Sequence, residues 1–370
     1  MLSGGMPSID LDMFKNLFPA GKELIGLDIG SSSLKLAEIV EIPKKGFILN
    51  RFSQIPLEKG VVEDGIPVEQ QELSQKIKEV FKQSKCKRKG IVTSLSGHSV
   101  IVKNVTFPFM DEEDLRELIK DEISKYLPFE NSQEVSFDFQ IMGENAFNPD
   151  QMDVILVAAR NEIVTAYTDA VREAGLTAVI MDVDSFALET MYEENYDVEE
   201  NEIVVLINIG ASITIINVVK GGTSVFTRNF PMAGNFITEA VQQKAGVDFE
   251  EAERMKIQGF QGNSLEQQEF RNDLLSYADP ICTEIKRSID YYRSTLGGEH
   301  IKGVLLSGGS AMIPGIVNDL SLRLGVETEI ANPFRKIGHN EKFLDLAKIE
   351  SITPIAAVAV GLALRKMAER

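Results

Sequence analysis

The chain has 370 residues, 44% hydrophobic and 25% charged, with a net charge of −18. That length exceeds one small core and points to two or three domains. The negative charge argues against DNA, RNA or anionic lipid as a long-range electrostatic partner.

The elements follow in chain order. Leu24–Ile29 is a short apolar run ending in Gly and Ser, a buried strand meeting a tight turn. Leu34–Val40 and Gly46–Ile55 continue as strands, Glu69–Phe81 carries apolar residues at helical spacing, and Ile91–Leu95 returns to strand character. A separate α+β insert is expected over about 99–180. It holds a strand at Val100–Phe107, a helix at Asp111–Tyr126 with acidic residues at its positive end, a strand with Phe137, Phe139 and Ile141 on one face, a strand at Val154–Ala158 and a helix at Ile163–Ala174 closed by Gly175. Ser185–Tyr192 reads as a helix leading into the acidic linker Glu193–Glu202. Ile203–Ile209, Thr214–Val219 and Thr223–Asn229 follow as strands. Phe236–Ala245, Asp248–Ile257 and Asp279–Leu296 read as helices, Val304–Leu306 as a strand, and Ile316–Leu324 and Pro354–Met367 as the last helices.

Several features remain bland. Cys86 and Cys282 lie far apart and suggest a reducing compartment, and His98, His300 and His339 are too scattered to assemble a zinc site. Lys85, Lys87, Arg88 and Lys89 read as a solvated helix end. The longest apolar candidate, Ile355–Leu364, is about half the length needed to span a bilayer. No signal peptide is expected. Ile9, Leu11, Met13, Phe14, Leu17 and Phe18 form a partly amphipathic segment, either a mobile leader or a contact for a membrane or partner.

Two stretches repeat one another. Gly26-Leu27-Asp28-Ile29-Gly30-Ser31-Ser32-Ser33-Leu34-Lys35 and Leu206-Ile207-Asn208-Ile209-Gly210-Ala211-Ser212-Ile213-Thr214 each end an apolar strand in a polar residue, a glycine and a turn of small residues. The pattern suits a polyphosphate. Gly30 admits close backbone approach, Ser31 and Ser32 offer N–H and O–H donors, Lys35 supplies a point charge, and Asp28 can hold Mg²⁺ through water. Leu305–Gly315 is a third strand, glycine turn and helix start, where Gly308 and Gly309 let a base and ribose lie on bare backbone.

Together these residues resemble the actin-like ATPase superfamily, which includes actin, the Hsp70 chaperones, sugar kinases and FtsA. The two hairpins are similar to its phosphate motifs, and Gly308–Pro314 to its adenosine motif. Pro231–Thr238 resembles its connecting motif, Ala252–Lys256 its ribose-contacting helix, and Ala359–Ala363 its second connecting helix. Within the superfamily the chain resembles the PilM family of type IV pilus assembly proteins, kin of FtsA, from Lys22 onward. The insert follows Leu95–Ser99, as in FtsA-like proteins. The chain stops at the second connecting helix, where FtsA is expected to continue into an amphipathic membrane helix.

The resemblance implies an α/β, duplicated two-lobed fold of RNase H-like halves with an FtsA-type 1C insert. It places subdomain 1A at 22–98, 181–200 and 354–370, 1C at 99–180, 2A at 201–235 and 301–353, 2B at 236–300, and a leader at 1–21. It implies that ATP or ADP with Mg is held by Asp28, Gly30, Ser31, Ser32, Lys35, Asn208, Gly210, Ala211, Thr214, Gly234, Asn235, Glu253, Lys256, Gly308, Gly309, Ser310 and Met312. The superfamily usually has Asp where this chain has Asn208, and Ile215 cannot orient water, so hydrolysis is expected to be slow or absent. The implied role is a cytoplasmic scaffold on the inner membrane. It binds the cytoplasmic N-terminal tail of PilN in a groove between 1A and 1C, near Val100–Pro108, and contacts PilB/PilT-type motor ATPases, with no nucleic-acid partner and self-association left open. A filament-forming ATPase is the alternative with the same fold. A small-molecule kinase would need a carboxylate base beside an acceptor pocket, for which no motif is recognised.

Overall fold

The computed structural model describes residues 9–10, 24–127, 134–145, 147–259, 263–295 and 300–365. The first half opens with β1 (Ile9–Asp10), the meander β2 (Ile25–Ile29), β3 (Ser33–Ile42) and β4 (Gly46–Pro56), the short pair β5 (Val62–Glu63) and β6 (Ile66–Pro67), α1 (Gln70–Ser84) and β7 (Gly90–Leu95). It continues with β8 (Val100–Pro108), α2 (Glu112–Tyr126), β9 (Val135–Glu144), β10 (Gln151–Arg160), α3 (Asn161–Glu173), β11 (Thr177–Val183) and α4 (Asp184–Asn195). The second half holds β12 (Ile203–Ile209), β13 (Thr214–Lys220), β14 (Thr223–Phe230), α5 (Gly234–Ala245), α6 (Phe249–Gln258), α7 (Ser264–Thr295) and β15 (Ile301–Ser307). α8 (Ile316–Leu324), β16 (Thr328–Ile330), β17 (Gly338–His339), α9 (Leu346–Ile352) and α10 (Ala357–Leu364) complete it.

The two large sheets share one plan. In the first, the antiparallel meander β4-β3-β2 is extended by parallel β7 and β11, with β1 and β17 at the edges. In the second, the meander β14-β13-β12 is extended by parallel β15 and β16. The internal repeat seen in two hairpins is therefore a repeat of whole sheets. Parallel strands need crossover connections, and helices supply them.

Two helices, α4 and α10, lie between the halves. α10 is AVAVGLAL, and all eight of its residues are buried. A helix apolar on every side must be covered on every side. One core joins α4 (Ala187, Leu188, Met191), α10, residues of the first sheet (Ala37, Ile39, Val92) and residues of the second (Leu206, Ile215, Leu305). α4 and α10 cross closely because Gly361 has no side chain: a Cβ there would lie 1.8 Å from the Ala187 carbonyl oxygen. A Cβ on Gly26 would lie 2.1 Å from the Ala359 carbonyl oxygen, so β2 meets α10 in the same way. Among the described residues no single helix is long and apolar enough to cross a membrane.

Three departures from the sequence-based expectation stand out. The insert has a three-stranded sheet, β8-β10-β9, covered by α2 around Phe107, Leu115, Ile119 and Leu156. The boundary expected at residue 180 is misplaced, because α3 and β11 belong to the first large sheet: Tyr167, Ala170 and Met181 join the core of α1 and β2. β10 (QMDVILVAAR) serves both units, with Val154, Leu156 and Ala158 facing the insert core and Ile155, Val157 and Ala159 facing the other. Its unbroken apolar run is what burial on both faces requires.

The helix expected to start at Asp279, just before Pro280, begins instead at Ser264 and runs through the proline. Leu274, Ala278, Ile281, Cys282 and Ile285 form one buried stripe across Pro280, and that packing outweighs the lost N–H. The last helix begins at Ala357, after a 92° bend from the segment Leu346–Ile355, rather than at Pro354. Of the N-terminal apolar residues, Ile9 lies in β1, whereas Leu11, Met13, Phe14, Leu17 and Phe18 fall outside the described residues.

The α4–α10 crossing yields a stability prediction. Gly361→Ala should lower the urea midpoint without changing the m-value, by the equivalent of about 1–3 kcal/mol, the usual cost of overpacking. An unchanged midpoint would mean that the helices do not hold this spacing in solution.

Candidate functional site: the cleft between two hairpins

Each hairpin is built alike. β2 pairs with β3 so that Asp28 faces Lys35, and the turn closes through the Gly30 N–H donating to the Ser33 carbonyl at 3.2 Å. β12 pairs with β13 so that Asn208 faces Ile215, and the Gly210 N–H donates to the Ile213 carbonyl at 3.0 Å. Both turns end strands that are almost wholly buried, which fixes their position. They point at each other: the hydroxyls of Ser31 and Ser212 share a hydrogen bond of 2.5 Å between residues 181 apart in sequence.

Charge is unequal across the cleft. Lys35 Nζ bonds Asp28 Oδ2 at 2.9 Å in a largely buried pair. The matching positions of the second hairpin hold an amide and an isoleucine. Asn208 Oδ1 accepts from the Ser307 hydroxyl at 3.2 Å, and Ile215 is buried in the core between the halves.

Three further segments close around the second turn. The N–H groups of Gly234 and Asn235, at the start of α5, donate to the carbonyls of Gly210 and Ala211 at 3.0 and 2.7 Å. Lys256 reaches in from α6, donating to the Gly234 carbonyl at 3.1 Å and the Thr238 hydroxyl at 2.8 Å, and pairs with Glu253 at 2.6 Å. Burial pushes the Lys256 ammonium below its usual pKa, with Glu253 opposing. The Thr238 hydroxyl also bonds Glu253. Gly308 has φ of 93° and lies against the Ile209 backbone, where a Cβ would fall 2.3 Å from the carbonyl oxygen. After it, Ser310 donates to the Gly210 carbonyl at 3.4 Å, while Gly309 and Met312 are exposed on the short turn.

Most of the residues expected to bind nucleotide therefore converge. Ser32 is exposed at the tip of the first turn. Thr214 is different: it is fully buried, and its hydroxyl donates to the Met232 carbonyl at 2.7 Å, so it braces the hairpin from behind. The segment Pro231–Thr238, which resembles the connecting motif that enters the lower lobe, leads from β14 into the first turns of α5 within the second half, and the helices between the halves are α4 and α10.

One cleft residue escaped the sequence analysis. Asp184, the first residue of α4, accepts from the Ser94 hydroxyl at 2.5 Å. Burial and then the charge of Asp28 push its pKa up to about 7, with the Ser94 hydrogen bond and Lys35 opposing. The available signal was two carboxylates, Asp182 and Asp184, at the end of the apolar run Thr177–Val183. Among the described residues no group of three or more His, Cys, Asp or Glu is placed to hold a metal ion by itself.

Comparison with known proteins agrees with this architecture. The solved PilM-PilN type IV pilus biogenesis complex contains a chain similar to this one, with a TM-score of 0.80 at 28% identity, covering 93% of this chain and 98% of that one. The ethanolamine utilization protein EutJ of Carboxydothermus hydrogenoformans gives a TM-score of 0.56 at 16% identity over 96% and 94% of the two chains. The cell division protein FtsA of Enterococcus hirae is 22% identical over 386 residues, 91% of this chain and 86% of its own. The duplicated sheets and facing hairpins, with the insert after β7, define an actin-like fold of the FtsA kind. A sequence profile of the type IV pilus assembly protein PilM matches residues 26–367, and the chain belongs to that family.

Asp184 gives a pH prediction. A carboxyl with a raised folded pKa contributes stability that is complete below its unfolded pKa, ordinarily 3.8, and is lost as pH rises through about 7. Asp184→Asn should therefore gain in melting temperature relative to the unsubstituted protein as pH rises from about 4 to about 7, and gain no further above that. A difference independent of pH would show that Asp184 is charged in the folded protein.

Proposed function

We propose that this chain is a nucleotide-binding scaffold of the type IV pilus inner-membrane assembly complex. The observation that carries the nucleotide reading is the approach of two glycine turns to within one hydroxyl–hydroxyl hydrogen bond, Ser31 to Ser212. The site fits a polyphosphate on its own terms. Gly234 and Gly308 line it with bare backbone, and a Cβ on Gly234 would lie 2.7 Å from the Ser310 hydroxyl and 3.3 Å from Lys256 Nζ. When bound, ATP or ADP supplies a chain of anionic oxygens that both turns engage at once. Gly30, Ser31, Ser32 and Lys35 bind it from one side, and Gly210, Ala211 and Asn208 from the other. Gly234, Asn235, Glu253, Lys256, Gly308, Gly309, Ser310 and Met312 hold the nucleoside side, and Asp28 retains Mg through water.

The same residues argue for a bound nucleotide more than for turnover. Asn208 keeps a hydrogen-bonding carbonyl without charge, and buried Ile215 cannot orient a water. A ligand that binds only the closed arrangement stabilises it by linkage, so the nucleotide would set the angle between the lobes.

The solved relative is a complex with PilN. That supports PilN as a partner of this chain. In the reading proposed here the chain is cytoplasmic and peripheral to the inner membrane, binds the cytoplasmic N-terminal tail of PilN between subdomains 1A and 1C and joins it to PilB/PilT-type motors. Titration calorimetry tests both parts. Mg-ATP should bind, and Lys35→Ala should weaken binding at least about tenfold, the loss of one charge-assisted contact to phosphate. Turnover should stay below about 1 per second, the low end of ordinary enzymes. The tail peptide of the PilN from the same genome should bind saturably and its scrambled version should not. Turnover well above that limit would favour a cytoskeletal ATPase, and absence of tail binding would remove the pilus partner.

A further inference from the structure

The loop between α1 and β7 lies at the end of the first sheet away from the cleft. Ile91 of β7 pairs with Ile25 at the start of β2, and the Gly30 turn closes the other end of β2. Six of the twelve residues from Lys78 to Lys89 are basic and one, Glu79, is acidic, in a chain whose net charge is −18. Lys78, Lys82 and Lys85 are exposed at helical spacing along α1 and its cap. A solvated helix end accounts for these three, but the row continues past the helix. Lys85, Lys87 and Lys89 are exposed, while Cys86 and Arg88 between them reach Glu38 at 3.3 and 3.5 Å.

Glu38 is 5% exposed and also holds Asn50 at 2.6 Å and Arg51 at 3.4 Å. A buried carboxylate bound by several donors is a firm anchor, so the strap is pinned with its lysines outward. β3 runs on past the start of β2 into a turn that places Lys44 and Lys45, both exposed, at the same end. Lys44 and Lys85 have φ of 68° and 55°, and Lys85 stands just after α1, where glycine is usual. Among the described residues none of these lysines pairs with an acidic side chain. An apolar surface adjoins them. Arg51 donates to the Ser84 carbonyl at 3.0 Å, and its guanidinium lies 4.3 Å from the centre of the Phe343 ring, which is 51% exposed.

The kind of cation separates the partners this surface fits. Planar carboxylates of an acidic peptide are best met by the arginine fork, and here Arg51 and Arg88 are both turned inward to Glu38. What faces outward is lysine, a compact charge on a flexible stem, with an exposed aromatic ring beside it. That combination suits anionic headgroups over an apolar layer. The net charge does not forbid it. Salt confines electrostatic attraction to about 8 Å under physiological conditions, so a surface in contact meets the local lysines rather than the whole chain.

We infer that the Lys85–Lys89 strap, with the end of α1 and the Lys44–Lys45 turn, is a direct docking surface for an anionic lipid bilayer. It needs neither nucleotide nor PilN, so its failure leaves the scaffold reading standing.

The test mixes the full chain with vesicles of phosphatidylcholine alone or with an equal part of phosphatidylglycerol, and reads the bound fraction by sedimentation. The protein should bind the anionic vesicles and not the neutral ones, and salt should release it. Each lysine near an anionic surface contributes roughly fivefold in affinity, so Lys85→Gln/Lys87→Gln/Lys89→Gln should weaken binding at least about tenfold at an unchanged melting temperature. Lys125→Gln/Lys244→Gln/Lys286→Gln removes the same charge from exposed lysines of other helices and should bind as the unsubstituted protein does. Equal loss in both variants, loss in neither, or no vesicle binding at all would overturn the surface. Failure on vesicles together with saturable binding of a polyglutamate peptide, lost in the strap variant, would assign the strap to an acidic protein segment instead.

Discussion

The whole molecule depends on how closely α4 and α10 approach. Where Gly361 passes the Ala187 carbonyl, and Gly26 the Ala359 carbonyl, backbone meets backbone with no side chain between. That contact draws the two large sheets onto one shared core. The hairpins at the ends of β2 and β12 then face each other across a single hydrogen bond. Wider spacing would still leave two well-formed sheets, but their turns would not meet. The chain also ties this crossing with charge: Arg365, just past α10, bonds Asp182 at the end of β11 through two nitrogens, at 2.6 and 2.9 Å, with both groups buried. Breaking a buried pair of this kind strands a charge in low dielectric, so it resists being opened one partner at a time.

Of the two hairpins only the first carries charged side chains, and the second turn meets charge only through the Lys256–Glu253 pair of α6. Asp28 and Lys35 neutralise each other locally in the first hairpin, and Asp184 beside them is driven toward its neutral form by burial. The second hairpin offers an amide, hydroxyls and backbone. Such an arrangement offers an anionic ligand many modest contacts.

Local pattern revealed much of this. The paired hairpins were legible because an apolar strand ending in Gly and small residues has few other uses, and the actin-like plan followed from finding two of them. Gly30, Gly210, Gly234, Glu253, Lys256 and Ser310 come together as that plan implies. What stayed hidden was whatever depends on the third dimension. Thr214 shares the turn's pattern but points behind it to the Met232 carbonyl. Asp184 lies 156 residues after Asp28 in sequence and matters only because α4 starts beside Ser94. The stretch from α3 to β11 continues the insert's succession of strands and helices in sequence, yet packs on α1 and β2. Pro280 signals a helix start, and only the continuous buried stripe around it shows otherwise.

The double-faced strand β10 has a mechanical consequence. Ile155, Val157 and Ala159 are locked into the core of the first lobe, and Met152, Val154, Leu156 and Ala158 into the insert. Load applied to the insert must shear close-packed side chains on one face before the two can slide apart. The insert and the first sheet therefore act as one stiff bracket. Force entering at the outer rim of that bracket is passed through β10 into the lobe as a whole.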